Sequence, residues 1–490
     1  MRTKFTVKQR EVLQRILCLF VVLCPIFDVA SFLFRNYFKT EVSISTFLRP
    51  IIPLIVGLFV FIKSNKKLKI TLLITGFIYA VYAFVHYKVF NSLVTGCSYG
   101  NAINEMQYVF NFTFLIIDLI VYLCVFLVKN ETPINNEKGL QILKKSFTIM
   151  LSIYIVSIIL AIVTGTSSYT YSETSTGYKG WLESGNSASA VILLALFVCI
   201  SQIDIKKIKQ KWQIFNLITI VVTSIYMVTT MGTRTAMFGT FLAIGLWIVL
   251  EVLLNKNKKV FIIGLIGIIL AGVGVGVFGS MTISRRKAMD EIASKLIDVN
   301  TGLPAHTTQD MIAIRGKILD GTIEEGYMSD AQKKATLELY DYANKHNLEP
   351  NDSRTQQLVY NVFLMKEQKN PVAFLFGNGY KTNYREMVME NEVAGIFINF
   401  GLIGFLLYLA PFFGLSIYFI VKLIKNTKLS KEKKQYLSNK KEYIYLLITT
   451  IFSLCLSWLS GHVFFGTSTM IVIVSVNIFI LNEIEGKTNE

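Results

Sequence analysis

Charged residues are scarce in this chain of 490 amino acids. Asp, Glu, Lys and Arg make up 17% of it and hydrophobic residues 53%, whereas a soluble globular protein has about 25% charged residues. The mean hydropathy is +0.51. Such a chain does not have the composition of a disordered protein, and its hydrophobicity excludes an ordinary soluble or nucleic-acid-binding domain. We therefore expect an integral membrane protein.

Cysteine and histidine are also few, with six and four residues respectively. Five of the cysteines fall inside apolar runs, where a thiol packs as a small hydrophobic group. This placement argues against a disulfide framework. The sequence has no HExxH or CxxC motif, no phosphate-binding loop motif, and no histidine spacing typical of a metal site. We expect neither a metal ion nor another cofactor.

Long apolar runs are what the sequence has instead. A helix needs about 20 predominantly apolar residues to cross the hydrocarbon core of a bilayer. These runs are not expected to form strands, because they are long and lack an alternation of polar and apolar residues. The sequence predicts an all-α polytopic membrane protein with about twelve transmembrane helices. These lie approximately at residues 14–34, 45–63, 70–90, 109–129, 146–165, 187–203, 213–231, 235–254, 259–281, 395–424, 443–463 and 465–483.

The basic residues predict the orientation of these helices, because Lys and Arg concentrate in the cytoplasmic loops of membrane proteins. With a cytoplasmic N-terminus, 29 of the 49 Lys and Arg residues fall on the inner side, and 6 fall in the short outer loops. We therefore expect both termini in the cytoplasm. The net charge of +17 then reflects membrane topology rather than an affinity for nucleic acid.

The longest predicted outer segment, residues 282–393, divides the chain into three parts. Residues 1–281 hold nine predicted transmembrane helices, and residues 394–490 hold the other three and a cytoplasmic tail. The outer segment is expected to be mostly helical, with a capping box at the start of its second helix. Its three predicted helices run from Ser284 to about Val299, from Ser329 to about Asn347 and from Ser353 to about Lys369.

Two arginines stand at the predicted outer edge of the membrane. Arg234 lies in a tight hairpin between two spans, where a guanidinium can grip a diphosphate through two parallel hydrogen bonds. Arg49, at the start of the second span, could join the same anion site or anchor the helix at the interface. The basic patch Arg285-Arg286-Lys287 is expected to contact lipid headgroups.

Further candidates come from the end of the outer segment. Arg354 lies in the first turn of a predicted helix, where the helix dipole disfavours a cation. The run Met389-Glu390-Asn391-Glu392 brings two carboxylates and an amide to the membrane edge, as a general base and its positioning group require. Asp28 and Asp118 fall within spans, either as buried paired groups or as part of a substrate path.

This arrangement resembles the O-antigen ligase and Wzy-type polysaccharide polymerase family of bacterial envelope proteins. The topology agrees over most of the chain: about twelve spans, cytoplasmic termini and one large outer loop between spans nine and ten. The matching motifs are Gly185-Asn186-Ser-Ala-Ser-Ala, Gly232-Thr-Arg234-Thr-Ala, Ser353-Arg354, Leu375-Phe-Gly377-Asn-Gly379-Tyr380, and Glu390-Asn391 followed by Gly401-Leu-Ile-Gly404-Phe.

The resemblance implies a GT-C-like fold in the bacterial cytoplasmic membrane. It also implies metal-independent glycosyl transfer, at the outer face, from an undecaprenyl-diphosphate-linked glycan. Arg234 and Arg354 would hold the diphosphate, with Arg49 as a further candidate, and Glu390 beside Asn391 would act as general base on the acceptor hydroxyl. Other expected partners are membrane lipids and a chain-length regulator and flippase of the same pathway, but no nucleic acid. The candidates for contacts with the glycan are Asn186, Tyr380 (by stacking on a sugar ring), Glu392 and His462.

One departure from the family pattern bears on the activity. Members that ligate finished O-antigen to the lipid A core typically have a histidine where this chain has Glu390. A carboxylate can still deprotonate a sugar hydroxyl, so we favour a polymerase that joins repeat units of a capsular polysaccharide or exopolysaccharide. One alternative is a ligase that passes a finished glycan to a lipid, wall or protein acceptor. The other is a transporter or flippase, for which the sequence lacks the expected inverted repeats.

Overall fold

The computed structural model of the protein is built almost entirely of helices. It describes residues 1–39, 44–93, 102–131, 136–255, 279–299, 301–380, 387, 389–430 and 432–485, together with four isolated residues between 262 and 272. The helices before residue 256 are α1 (Val7–Phe38), α2 (Ile44–Ile62), α3 (Lys66–Leu93), α4 (Ala102–Phe126), α5 (Glu137–Val163), α6 (Gly185–Ser201), α7 (Lys211–Thr229) and α8 (Arg234–Asn255). A hairpin of β1 (Ser168–Tyr171) and β2 (Thr176–Gly180) lies between α5 and α6.

The second half of the chain contains ten further helices in its described residues. Five belong to the predicted outer segment: α9 (Met281–Ser294), α10 (Gln309–Leu319), α11 (Asp330–His346), α12 (Ser353–Gln368) and α13 (Pro371–Phe376). The other five are α14 (Glu392–Tyr408), α15 (Ala410–Leu429), α16 (Lys433–Asn439), α17 (Lys441–Leu459) and α18 (Thr467–Glu485).

The all-α polytopic membrane architecture predicted from the sequence is confirmed. Within the described residues, eight helices are long and apolar enough to cross a membrane, and the bent pair α14–α15 would be a ninth span. The second and sixth predicted spans fall on the shorter apolar helices Arg49–Ile62 and Gly185–Ser201. The ninth predicted span, 259–281, lies almost entirely outside the described residues, so the total of about twelve stays a prediction.

The sixth predicted span is short because it is the centre of the bundle. Every residue from Ala188 to Ser201 in α6 is buried. A helix that is apolar on all sides packs inside a protein rather than against lipid alone. Helices α5, α8, α17 and α18 surround it. The N-terminus of α6 is thereby held in the middle of one end of the bundle.

The polar stretch between α5 and α6, outside the apolar runs, forms a β-hairpin that was not predicted. Tyr169 pairs with Tyr178 across the two antiparallel strands. The Thr170 hydroxyl donates to the carbonyl of Met231 at 2.8 Å. A Cβ on Gly177, whose φ is +70°, would lie 2.5 Å from that same oxygen, so only glycine permits the approach. The hairpin therefore covers the start of α8.

Helix α14 is interrupted by a glycine that packs against another glycine. Gly401 has φ 71° and ψ −179° inside the helix, and the carbonyl freed at Phe400 accepts a hydrogen bond from the Tyr82 hydroxyl at 2.8 Å. A Cβ on Gly401 would lie 2.5 Å from the backbone nitrogen of Gly377. This close approach fixes the turn after α13 against α14, the helix that follows Glu390.

The predicted outer segment differs from its expected form in two respects. Helix α10 was not predicted; Thr308 caps it by accepting from the amide of Met311. Helix α9 begins earlier than expected, because Ser280 caps its first turn, and it ends at Ser294. The capping box of α11 is confirmed, with both hydrogen bonds between Ser329 and Gln332. Helix α12 also begins where predicted, at Ser353.

Candidate active site

Glu390 is held at one end of the bundle by its backbone. Its amide donates to Gln357 Oε1 of α12 at 3.0 Å, and the following residue, Asn391, caps α14 by accepting from Ala394. Gly461, in the turn between α17 and α18, packs so closely that a Cβ there would lie 1.8 Å from the Glu390 carbonyl oxygen. The backbone is thus fixed on three sides, while the Glu390 side chain remains 36% exposed.

Arg354 lies against the Glu390 carboxylate. Its Nε donates to Glu390 Oε2 at 3.2 Å, and its Nη1 donates to the carbonyl of Leu459 at 3.0 Å. The ion pair explains how a cation is tolerated in the first turn of α12, because a carboxylate compensates the helix dipole there. Two residues that are 36 positions apart in the sequence are thereby joined in one site.

Arg234 opens α8 at the same end of the bundle and is exposed. The next residue, Thr235, contacts Ser460 Oγ at 3.0 Å through its hydroxyl, which places the start of α8 beside the turn that packs on Glu390. The charge of Arg234 acts on Tyr171 and on Arg285. Among the described residues its guanidinium has no hydrogen-bond partner, so its donors are available to an anion.

Arg285 joins this group, although the sequence had suggested only a lipid-headgroup contact. Its guanidinium carbon lies 3.3 Å from the centroid of the Tyr171 ring, in a cation–π contact. The Tyr171 hydroxyl in turn donates to Asn186 Oδ1 at 3.2 Å. Burial lowers the pKa of Arg285, and Tyr171 raises it. The positive charges of Arg234 and Arg354 lower this pKa further. An anion between these guanidinium groups would relieve their repulsion.

We name these three side chains, Arg234, Arg285 and Arg354, the arginine cluster. Burial raises the pKa of Tyr171, and the charges of all three arginines oppose that rise. Tyr171 binds Asn186 in the first turn of α6, and Arg234 is the first residue of α8. Helix N-termini present unpaired amide groups and a positive potential. The combination is suited to a phosphate or diphosphate.

His462 is a further member of the site. It has a left-handed backbone conformation, with φ 62°, in the turn after α17, and its Nδ1 lies 3.3 Å from Ser187 Oγ. Burial lowers the pKa of His462; the negative charge of Glu390 raises it and the positive charge of Arg354 lowers it. The imidazole is therefore neutral near pH 7 and can accept a proton.

We predict that the pKa of His462 moves in opposite directions in two variants. In the wild type it should lie below the usual value of about 6.5. Glu390→Gln should lower it further, and Arg354→Gln should raise it, because each removes one of the charges that act on the ring. Histidine-selective NMR in nanodiscs is practical with four histidines, using His462→Gln for assignment. A pKa that shifts in neither variant would contradict this electrostatic coupling.

Three other sequence candidates have different surroundings. Arg49 pairs with Asp28 at 2.6 Å and donates to Thr467, on the wall of a cavity between helices.

Tyr380 is fully buried and stacks on Tyr108 with ring centroids 4.7 Å apart, so its ring has no free face for a sugar. In this conformation the ring fills the core beneath the glycine turn, and the expected stacking on a sugar stays a prediction.

Glu392 also has a structural role in this conformation. Its side chain is fully buried. Its two oxygens accept hydrogen bonds from the backbone amides of Phe464 and Phe465 at 2.7–2.9 Å. These amides precede α18, so the carboxylate joins the start of α14 to the start of α18. In this conformation the side chain has no exposed surface among the described residues, and the glycan role expected for Glu392 stays a prediction.

The site can perform two chemical tasks. The arginine cluster can bind an anion and stabilise negative charge that develops on a leaving phosphate. Glu390 and His462, two groups able to accept a proton, stand beside it and can deprotonate a hydroxyl. Within the described residues, no group of three or more His, Cys, Asp or Glu side chains could hold a metal ion.

Comparison with known proteins identifies the family. A family model of O-antigen ligase-like membrane proteins matches residues 10–486. A comparison with curated proteins finds no match. The match spans nearly the whole chain, including every residue of the site described above. The chain belongs to the family of O-antigen ligase-like membrane proteins.

Proposed function

We propose that the protein is a glycosyltransferase that joins undecaprenyl-diphosphate-linked oligosaccharide repeat units into a capsular polysaccharide or exopolysaccharide. Transfer would take place at the outer face of the bacterial cytoplasmic membrane, because the distribution of basic residues predicts that this end of the bundle faces outward. The observation that carries the proposal is the ion pair between Arg354 and Glu390. Arg285 packs on Tyr171, and the contact of Thr235 with Ser460 places Arg234 at the same end of the bundle. Family membership supports glycan transfer in general.

The chemistry follows from that arrangement. An acceptor hydroxyl attacks the anomeric carbon of the donor sugar, and the bond between that carbon and the diphosphate oxygen breaks. The carbon–oxygen electron pair leaves with the lipid diphosphate, whose added negative charge the arginine cluster stabilises. Glu390 takes the proton of the attacking hydroxyl. The reaction needs positioning and charge stabilisation, because a diphosphate is a good leaving group.

Two other functions compete with a polymerase. A ligase of this family would pass a finished glycan to a lipid, wall or protein acceptor. The glutamate at position 390, where ligases acting on the lipid A core typically have histidine, supports the polymerase instead. A flippase would not need a carboxylate and a half-buried histidine beside an anion site, so the pairing of Glu390 with Arg354 also supports an enzyme.

A reconstituted reaction tests the proposal. Protein in nanodiscs is supplied with one defined undecaprenyl-diphosphate-linked oligosaccharide, and the products are separated by chain length. We expect a ladder of lipid-linked oligomers from the wild type and unreacted single repeats with Glu390→Gln. Transfer of a preformed chain to another acceptor, without any ladder, would establish the ligase. Unreacted substrate with wild-type protein that has normal thermal stability would overturn the proposal.

A further inference from the structure

A cavity of about 860 Å³ is lined mainly by residues of α1, α2, α4, α6 and α18, with one tyrosine each from α3 and α5. Its wall on α1 runs from Arg35 to Phe20. At 1.5 Å per residue this is a depth of about 22 Å. The rim carries an ion pair between Arg35 and Glu183, 3.2 Å apart. The cavity volume lies within the range of about 300–1,000 Å³ typical of ligand sites.

Two residues that line this cavity each have a buried polar atom without a hydrogen-bond partner among the described residues. Asp118 is 6% exposed and its Oδ1 has no hydrogen bond; among the described residues, none forms an ion pair with it. Arg49 Nε is also without a partner, although its other nitrogens bind Asp28 and Thr467. A charged group inside a membrane bundle is costly unless it is paired or serves a function. Of the two roles expected for Asp118, a buried paired group or part of a substrate path, the described residues provide no pair.

Helix α4 contributes further polar side chains to a lining that also contains many apolar residues. Gln107 and Asn111 lie one turn apart on α4, and the structure gives their amides no hydrogen bond within its described part. Phe110 and Phe114 follow the same side of that helix into the cavity. The amides, the carboxylate oxygen of Asp118 and the Nε–H of Arg49 can form hydrogen bonds with the hydroxyls of a sugar. The aromatic rings can pack against its apolar faces.

We propose that this cavity binds neutral, hydroxyl-rich sugars of the acceptor glycan, an inference that rests on the proposed function. A hydroxyl can donate to Asp118 and accept from Arg49 Nε, so a single class of ligand satisfies both atoms. A polyprenyl chain offers neither kind of hydrogen bond and would leave both groups unpaired at the cost of burying them. The cavity is distinct in chemistry from the arginine cluster, which suits a diphosphate.

The cavity also has a direct connection to the reacting groups. Ser187 lines it and contacts His462 at 3.3 Å, and the charge of Glu390 acts on His462. We infer that a glycan in the cavity reaches the reacting groups at this end, past Ser187 and His462. Asp118 and Arg49 would be binding residues for the acceptor, remote from the bond that breaks.

The test measures binding without turnover. The probe is the lipid-free oligosaccharide released by mild acid from the lipid-linked precursors of the producing strain; undecaprenyl phosphate is the lipid probe. Wild-type protein in nanodiscs should bind both. Asp118→Leu should weaken binding of the oligosaccharide at least tenfold and leave the lipid probe unaffected. Asp118→Asn is the matched control: it retains an acceptor oxygen and should weaken binding less than threefold.

Thermal stability distinguishes this role from a structural one. Asp118→Leu should raise the Tm of the empty protein, because an unpaired buried carboxylate is removed. Asn111→Leu, at an independent position in the same wall, should also weaken binding of the oligosaccharide. Unchanged oligosaccharide affinity in both variants, or a loss of lipid affinity instead, would overturn the inference. A lower Tm for Asp118→Leu would also overturn it, because Asp118 would then have a structural partner.

The two proposals fail separately. If the wild type forms a ladder in the reconstituted reaction but does not bind the oligosaccharide, the assignment of the cavity is wrong and the polymerase remains. If the oligosaccharide binds in a manner that depends on Asp118 but no ladder or transfer is observed, the cavity assignment stands and the polymerase is wrong.

Discussion

Replacing Glu390 with glutamine should reduce the rate of glycan transfer about 10²- to 10⁴-fold, the usual contribution of a general base. Glutamine preserves the shape of the side chain, and its carbonyl oxygen can still accept from Arg354 Nε, which Glu390 binds at 3.2 Å. We therefore expect the KM for the donor and the Tm to change little. Initial rates of ladder formation in nanodiscs measure the effect.

The neighbouring carboxylate provides the control. Glu392→Gln should lower the Tm, because a fully buried group loses an acceptor for the amides of Phe464 or Phe465. A hydrogen bond to a charged group contributes about 1.5–3 kcal/mol. The two variants should thus separate an effect on turnover from an effect on stability. A Glu390→Gln enzyme within tenfold of the wild-type rate would show that Glu390 is not the base.

Alanine in place of any member of the arginine cluster should reduce turnover by roughly 10²- to 10³-fold, as the removal of one charge-stabilising donor does in other enzymes. Lysine at position 354 should recover only part of the activity, because it keeps the charge but cannot form two parallel hydrogen bonds. The reconstituted reaction measures these rates, with binding of undecaprenyl diphosphate as a second measurement.

Arg286 is the matched control for this prediction. It follows Arg285 on α9 but pairs with Asp290 at 2.9 Å and has a half-exposed side chain. Surface ion pairs of this kind contribute about 0–1 kcal/mol, so Arg286→Ala should have nearly wild-type activity. If Arg285→Ala and Arg286→Ala lose activity equally, or neither loses any, Arg285 is not part of the anion site.

The membrane architecture could be predicted from the sequence because long apolar runs have few alternative structures. Even so, α6 differs from a standard span, because it is short and is buried on all sides. The β-hairpin was missed because its short strands consist of tyrosine, threonine, serine and glycine between two transmembrane helices, without a long alternating pattern. Its stability depends on contacts with Met231 and Thr230 that local sequence does not reveal.

The site was only partly predictable for the same reason. Motifs identified Arg234, Arg354 and Glu390 as candidates, but a basic patch at a membrane exit does not reveal that Arg285 faces Tyr171 while Arg286 faces Asp290. The run of Glu390 and Glu392 gave no indication of which carboxylate is buried. That difference arises from the start of α14, where Asn391 caps the helix and the next side chain faces α18.

The ion pair between Arg354 and Glu390 also has a geometric consequence. A guanidinium group has five N–H donors, and Arg354 uses one for the carboxylate and one for the Leu459 carbonyl. The remaining donors can grip a phosphate oxygen without releasing Glu390. The planar guanidinium of Arg354 would then lie between the Glu390 carboxylate and the phosphate. Its width would set the distance between the acceptor oxygen that Glu390 deprotonates and the phosphorus of the leaving group.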